Sequence, residues 1–142
     1  MIEIDYRETY RQPAAAVYAA IIDFAALPAW QADVLEARLS SPALAVGATV
    51  QQSRKIMGRR TEVTFTVAEH VPGQSLTLRT ADGVSPAVQQ SYRILAEGDT
   101  SVVEFGLQLD GVPRMAEHLA RAQLGKTVPK MFEKLGDLLE AR

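Results

Sequence analysis

Cysteine is missing from this chain of 142 residues, which rules out a disulfide framework or a thiolate metal site and leaves thiols silent about compartment. Histidine is almost as scarce. His70 and His118 stand alone and far apart, so a metal site would need carboxylates to converge on one of them, and no spacing marks such a cluster. The nine glycines are scattered through turns and form no phosphate-cradling loop. No serine carries the flanking glycines of a nucleophile elbow. Charge of one sign is not in excess: the formal net charge is -2, a poor basis for gripping a polyanion, so nucleic acid is not an expected partner. Long apolar runs are absent as well, so no membrane span is expected. The opening MIEIDYRETYRQ alternates apolar and charged residues, unlike a secretory signal. A cytoplasmic setting is the expectation, and abundant alanine points to a bacterial, GC-rich genome.

What is present is enough apolar material for a core. Hydrophobic residues make up 47% of the chain, and its length fits one domain spanning residues 1–142 that buries roughly two thirds of its unfolded surface. Ile2, Ile4, Tyr6, Glu8 and Tyr10 share one face of a period-two segment, with Glu3, Asp5, Arg7, Thr9 and Arg11 on the other. Pro13 suits a first helical turn, and AAAVYAAIIDFAAL supplies Val17, Tyr18, Ile21, Phe24 and Leu27 at helical spacing. Pro28 is expected to end or kink that helix, a short turn to carry Trp30, and Val34 to Leu39 to form a brief, imperfectly alternating strand. Turn signals then recur at Pro42 with Gly47, at Gly58, at Pro72 with Gly73, at Asp82 with Gly83 and at Gly98 with Asp99. Between them lie strands with one apolar face: Val63, Phe65 and Val67; Leu76 and Leu78; Val88, Gln90, Tyr92 and Ile94; Val103, Phe105, Leu107 and Leu109. Such a face must be covered, and the segment from about Pro113 to Arg142 is the element long enough to cover it.

The apolar stripe of that terminal segment changes phase. Met115, Leu119 and Ala122 lie on one side of a helical wheel, whereas Val128, Met131, Phe132, Leu135, Leu138 and Leu139 lie nearly opposite. Pro129 gives a reason for a bend, because its ring meets the carbonyl of Gly125. Two readings stay open: one kinked helix, or a second helix started at Pro129 with Thr127 as its N-cap. The second half is expected to fill the concavity of the sheet. The first half then either closes one end of a pocket or presents Met115 and Leu119 to a partner, a second copy included.

Three stretches carry a family likeness: RETYRQPAAAVYAAIIDFAALPAW, GRRTEVTFTVAEHVPGQSLTLRT, and GDTSVVEFGLQL followed by a terminal helix ending LGDLLEAR. In this the chain resembles the SRPBCC superfamily, the START-like or birch-pollen-allergen-like helix-grip proteins, and within it the polyketide cyclase/dehydrase and lipid-transport type. The pattern is diffuse and spans nearly the whole chain. Ala32 departs from it, since many relatives place a proline after the tryptophan. The resemblance implies an α+β helix-grip fold: a curved antiparallel β-sheet of about seven strands, in the order β-α-α-β6-α, wrapped around a long kinked C-terminal helix. It also implies an internal cavity for a small hydrophobic or aromatic molecule, with no cofactor.

The lining expected of that cavity is Trp30, Arg54, Phe65, Gln90, Tyr92, Phe105, Met115 and His118. Several of these are conspicuous on their own terms. Glu8, Arg54 and Gln90 are polar within the apolar phase of their strands, and an inward polar group without a partner costs about 1–3 kcal/mol. Either they bond one another, or they face a wet cavity or a ligand, or they simply reach water at a strand end. Trp30 reads as a core plug or a pocket wall, and His118 as a solvated helix-face histidine or a proton carrier at the pocket mouth. His70 is expected in an exposed turn, and the Arg59–Arg60 pair as an anion site or a solvated turn. No catalytic residue can be named from the sequence. A cyclase or dehydratase would draw its acid and base from Tyr92, His118, Glu8 and Arg54. The leading expectation is a container for an apolar or aromatic guest, with that enzyme and an interaction module built on Met115 and Leu119 as the alternatives.

Overall fold

The computed structural model describes residues 1–56 and 58–142. The chain runs β1 (Ile2–Tyr10), α1 (Ala14–Ile21), a 3-10 turn (Phe24–Ala29), β2 (Val34–Leu39), β3 (Thr49–Ile56), β4 (Arg59–Val71), β5 (Ser75–Thr80), β6 (Ala87–Glu97), β7 (Thr100–Asp110) and α2 (Arg114–Ala141). All strands join one seven-stranded sheet in the order β1-β7-β6-β5-β4-β3-β2, and each neighbouring pair is antiparallel. This is the α+β helix-grip architecture expected of the pattern. β2 to β7 form a meander in which each strand lies beside the next, and β1, separated from β2 by the helical segment, pairs with β7.

The inner face follows from the pleat. Tyr6 pairs with Phe105, Phe105 with Tyr92, Tyr92 with Leu76, and Leu78 with Gln90, so the even residues of β1, β5 and β6 and the odd residues of β7 look the same way. Two bulges shift this phase. In β2 the register slips between Val34 and Glu36, which puts Val34, Ala37 and Leu39 on one face and explains the imperfect alternation of that stretch. In β4 it slips between Val67 and Glu69, and the slip turns His70 inward, opposite Leu76. His70 is therefore not an exposed turn residue. It is half-buried within β4, its Nε2 lies 2.6 Å from the Tyr18 hydroxyl of α1, and the two rings stack.

The first helix is shorter than its apolar spacing predicts. It stops at Ile21, where the Ile22 N–H still reaches the Tyr18 carbonyl, and Asp23 (φ -78°, ψ 80°) breaks the run well before Pro28. The chain then tightens into the 3-10 turn containing Pro28, which lets Phe24, Leu27 and Trp30 all point into the core. The Leu27 carbonyl accepts from both Trp30 and Gln31 N–H and ends the turn.

α2 is one helix with Pro129 inside it. Thr127 is no N-cap: its hydroxyl bonds back to the Gln123 carbonyl at 2.9 Å, holding the turn that leads into the proline. The second half of the helix carries its buried residues, while the first half is held by the Met1 ammonium on Glu117 at 3.3 Å and by partly buried Leu124. Val128, Phe132, Leu135 and Leu139 are buried, and the helix lies against β1, α1 and the 3-10 turn. The Tyr10 hydroxyl donates to the Phe132 carbonyl at 2.8 Å. Gly136 permits that approach, since a Cβ there would sit 3.4 Å from the Tyr10 ring. Burial of the Tyr10 ring raises its hydroxyl pKa strongly, with the Glu8 carboxylate adding to the effect. Met115 and Leu119, in the first half, are 98% and 73% exposed.

Candidate functional site

Inside the concave face, an aromatic cluster and a chain of polar side chains lie side by side. Phe132 enters from α2 and is 0% exposed. Its ring centroid lies 5.1 Å from Phe105, 5.5 Å from Tyr6, 5.9 Å from Trp30 and 6.5 Å from Tyr92. Tyr92 meets Phe105 at 5.1 Å and the edge of Trp30 at 6.5 Å, spacings at which tilted ring pairs add to simple burial.

The polar chain centres on Arg54. Its Nε donates to Gln52 at 2.8 Å, one terminal nitrogen to Asp33 at 2.7 Å and the other to Gln31 at 3.0 Å, and its guanidinium stands 6.0 Å from the Phe65 ring centroid. The Gln31 amide makes a long 3.4 Å contact to the Tyr92 hydroxyl, which makes another to Gln90. Gln31, Gln52 and Gln90 are all buried. A largely buried charge needs partners, and each of the three Arg54 nitrogens makes one hydrogen bond. Burial pushes the Tyr92 hydroxyl up to about 12, against the opposing pull of Arg54 and the Gln31 bond, and Asp33 adds to the rise. Tyr92 is thus a neutral donor at ordinary pH.

Two donors in this region have no acceptor among the described residues: the indole N–H of Trp30 and the Nε2 of Gln52. Gln52 cannot simply be turned, because its oxygen already serves Arg54. Buried donors without partners are uncommon.

Of the residues expected to line a cavity, Trp30, Arg54, Phe65, Gln90, Tyr92 and Phe105 gather on this inner face. Met115 and His118 do not join them: both lie exposed on the first half of α2. Glu8 also stands apart, its carboxylate taking the Tyr6 hydroxyl at 3.1 Å, and desolvation with that carboxylate raises the Tyr6 pKa. The Arg59–Arg60 pair is not a free anion site. Arg60 is spent on Glu36, Glu62 and Ser53, and the Ser53 hydroxyl together with Arg60 holds the Glu62 carboxyl below its usual range. Period-two reading found Arg54 and Gln90 and had the same signal for Gln52. It had none for Gln31 and Asp33, which lie between the 3-10 turn and β2 and reach Arg54 only through the shape of that turn.

A cleft of about 160 Å³ opens beside this assembly, between Trp30–Asp33 and the α2 residues Thr127, Lys130, Met131 and Lys134. A larger hollow of about 460 Å³ lies on the outer face, among Asp5, Arg7, Ser91, Arg93, Glu104 and Gly106. Among the described residues no helix is long and apolar enough to cross a membrane.

A curved antiparallel sheet holding a C-terminal helix over a mixed aromatic and polar inner face defines the START-like helix-grip class. The chain belongs within it to the polyketide cyclase / dehydrase and lipid transport family, whose model matches residues 1–140. No protein of curated function matches it by sequence. Among solved structures it is similar to a START superfamily protein of Mycobacterium smegmatis, with a TM-score of 0.82 at 13% identity over 98% of this chain and 97% of that one. It is also similar to a protein of Thermus thermophilus, at 0.78 and 14% over 99% and 98%. The Zhui aromatase/cyclase of Streptomyces sp. R1128 gives 0.75 at 11% over 99% and 94%. At such identities the likeness is one of fold.

Proposed function

We propose that the protein binds a small hydrophobic or aromatic molecule on the concave face of the sheet, next to the polar chain centred on Arg54. The observation that carries this reading is the pair of unsatisfied donors, Trp30 Nε1 and Gln52 Nε2, in a region otherwise lined by Phe65, Tyr92, Phe105 and Phe132. An apolar body with one or two acceptor atoms matches this lining in chemistry, and because Trp30, Gln52, Phe65, Tyr92, Phe105 and Phe132 are all buried it enters by displacing their packing, its rings against the aromatics and its oxygens on the two N–H groups. The family and the likeness to an aromatase/cyclase keep a polyketide-type substrate within the same chemistry. Turnover would then fall to Tyr92 as neutral donor and Arg54 as electrostatic clamp, since Glu8 and His118 do not converge with them.

Native mass spectrometry of the protein purified from its own host tests the reading directly. A copurifying molecule of a few hundred daltons supports it, and its mass separates lipid from polyphenol. Titration with the neutral dye N-phenyl-1-naphthylamine adds a second measurement. Binding that weakens in Tyr92→Phe and Gln90→Leu, with the fold intact, places the guest on this face, and unchanged affinity in both variants removes these residues from the site. The exposure of Met115 and Leu119 favours a second reading, in which this half of α2 pairs with another copy of the chain. Light scattering of the wild type against Met115→Ser/Leu119→Ser decides it, and a monomer in both ends it.

A further inference from the structure

We infer that the cleft between α2 and the Trp30–Asp33 segment receives the anionic head of the guest, so that the molecule bound is an amphiphilic acid: an apolar or aromatic body ending in a carboxylate or phosphate. This deepens the binding reading above and rests on it.

The cleft has two unlike sides. Its α2 rim carries Lys130 and Lys134, one helical turn apart on the same face. Among the described residues neither ammonium has a carboxylate within ion-pair distance, although the chain as a whole is acidic. Asp33, the acidic residue in the lining, is already engaged with Arg54 at 2.7 Å. The positive charge of the rim is therefore not cancelled from inside the cleft. The opposite wall contains Trp30, whose indole N–H lacks an acceptor and whose side chain is fully buried, together with Gln31, which ties the wall to Arg54 and Tyr92.

Size and charge fit this assignment together. At about 160 Å³ the space equals roughly five waters at their liquid share of ~30 Å³ each, enough for a head group and too small for a polycyclic body. An oxyanion there takes charge-assisted bonds from the lysines, which are exposed donors of the cleft. The body then lies along the Trp30 and Met131 side of the cleft, the side that leads to the aromatic cluster through Trp30. A neutral guest would leave the rim unanswered.

The test compares two dyes that share an N-phenylnaphthylamine body and differ by a sulfonate: 8-anilinonaphthalene-1-sulfonate, which is anionic, and N-phenyl-1-naphthylamine, which is neutral. In Lys130→Gln/Lys134→Gln the anionic dye is expected to bind roughly tenfold more weakly or worse, with the neutral dye within about twofold. Lys126→Gln, one turn away and outside the cleft, should change neither. Dodecanoate and dodecyl phosphate should displace the anionic dye from the wild type better than dodecanol does, and the stronger of the two names the head group. If the wild type binds the neutral dye and the lysine pair has no effect on the anionic one, the acid inference is overturned and the binding reading stands. Binding of neither dye to the wild type overturns both.

Discussion

Replacing Arg54 with methionine keeps the length of the side chain and removes its charge and donors, and the consequence can be worked from its partners. Three bonds vanish, to Asp33, Gln31 and Gln52. Asp33 has 41% of its side chain exposed and turns to water at little cost, so its loss is discounted. Gln52, 1% exposed, would then have neither end of its amide satisfied, because its Nε2 is already unpaired. Gln31, 2% exposed, keeps only the long contact to Tyr92. Two stranded buried acceptors at about 1–3 kcal/mol each give a loss of roughly 2–6 kcal/mol, a large share of the ~5–15 kcal/mol of an ordinary domain. The relief of a guanidinium whose side chain is 11% exposed pulls toward the lower end. Urea unfolding followed by the fluorescence of Trp30, the sole tryptophan, measures it, provided the slope with denaturant stays constant. The reasoning makes a second demand: Arg54→Met/Gln31→Leu/Gln52→Leu, with donors and acceptors removed together, should recover most of the loss. If the single variant costs less than about 0.5 kcal/mol, or the triple is worse than the single, water already serves these groups and the network is not buried in the sense argued.

Alkali should destabilise the fold through Tyr92. Its hydroxyl, about 12 when folded against 10.0 otherwise, contributes stability that is whole below pH 10 and lost as pH rises toward 12, roughly 3 kcal/mol at full effect; urea midpoints from pH 9 to 12 should fall steeply in the wild type and less in Tyr92→Phe. Phe132→Ala, at the junction of the aromatic cluster, should cost about 3–5 kcal/mol by chemical denaturation, and a loss under about 1 kcal/mol would mean the cluster is loosely packed. Met115→Ser and Leu119→Ser remove side chains that cover nothing in the monomer and should leave its stability within about 0.5 kcal/mol. Gly136→Ala brings a methyl to 3.4 Å from the Tyr10 ring, the near edge of ordinary contact; the helix-propensity gain of about 1 kcal/mol should offset the crowding and leave urea stability within about 1 kcal/mol of the wild type.

The architecture was legible because it is written in period two. One wet and one apolar face per strand, with glycine and proline at the turns, set the meander, and a terminal amphipathic segment supplied the cover. The pattern failed where the chain leaves its period. The bulge before Glu69 turned His70 from solvent to Tyr18, and the bulge after Val34 blurred β2. The break at Asp23 cut α1 short of the proline that marks its end in the sequence. The site divides along the same line. Arg54, Gln90 and Tyr92 were visible as polar residues in apolar phase, whereas Gln31, Asp33, Lys130 and Lys134 belong to a turn and a helix whose nearness no local period encodes. Met115 and His118 lie in solvent for a related reason: helical phase tells which residues share a side of α2, but not which of its two opposite stripes faces the sheet.

The inner face is built against its own stability. Leucine at Gln31, Gln52 and Gln90 and methionine at Arg54 would fill much the same volume without stranded donors, and buried polar clusters replaced in this way are often neutral or gain stability. The polar residues are also not dispersed as a specificity device would allow. Arg54, Gln31, Gln52 and Asp33 form one connected cluster, and Gln31 and Asp33 also line the lysine-rimmed cleft. A core that only had to hold a sheet to a helix would have no need of such a cluster, and under the proposed binding of an amphiphilic acid the buried network and the surface cleft share Gln31 and Asp33 as their common wall.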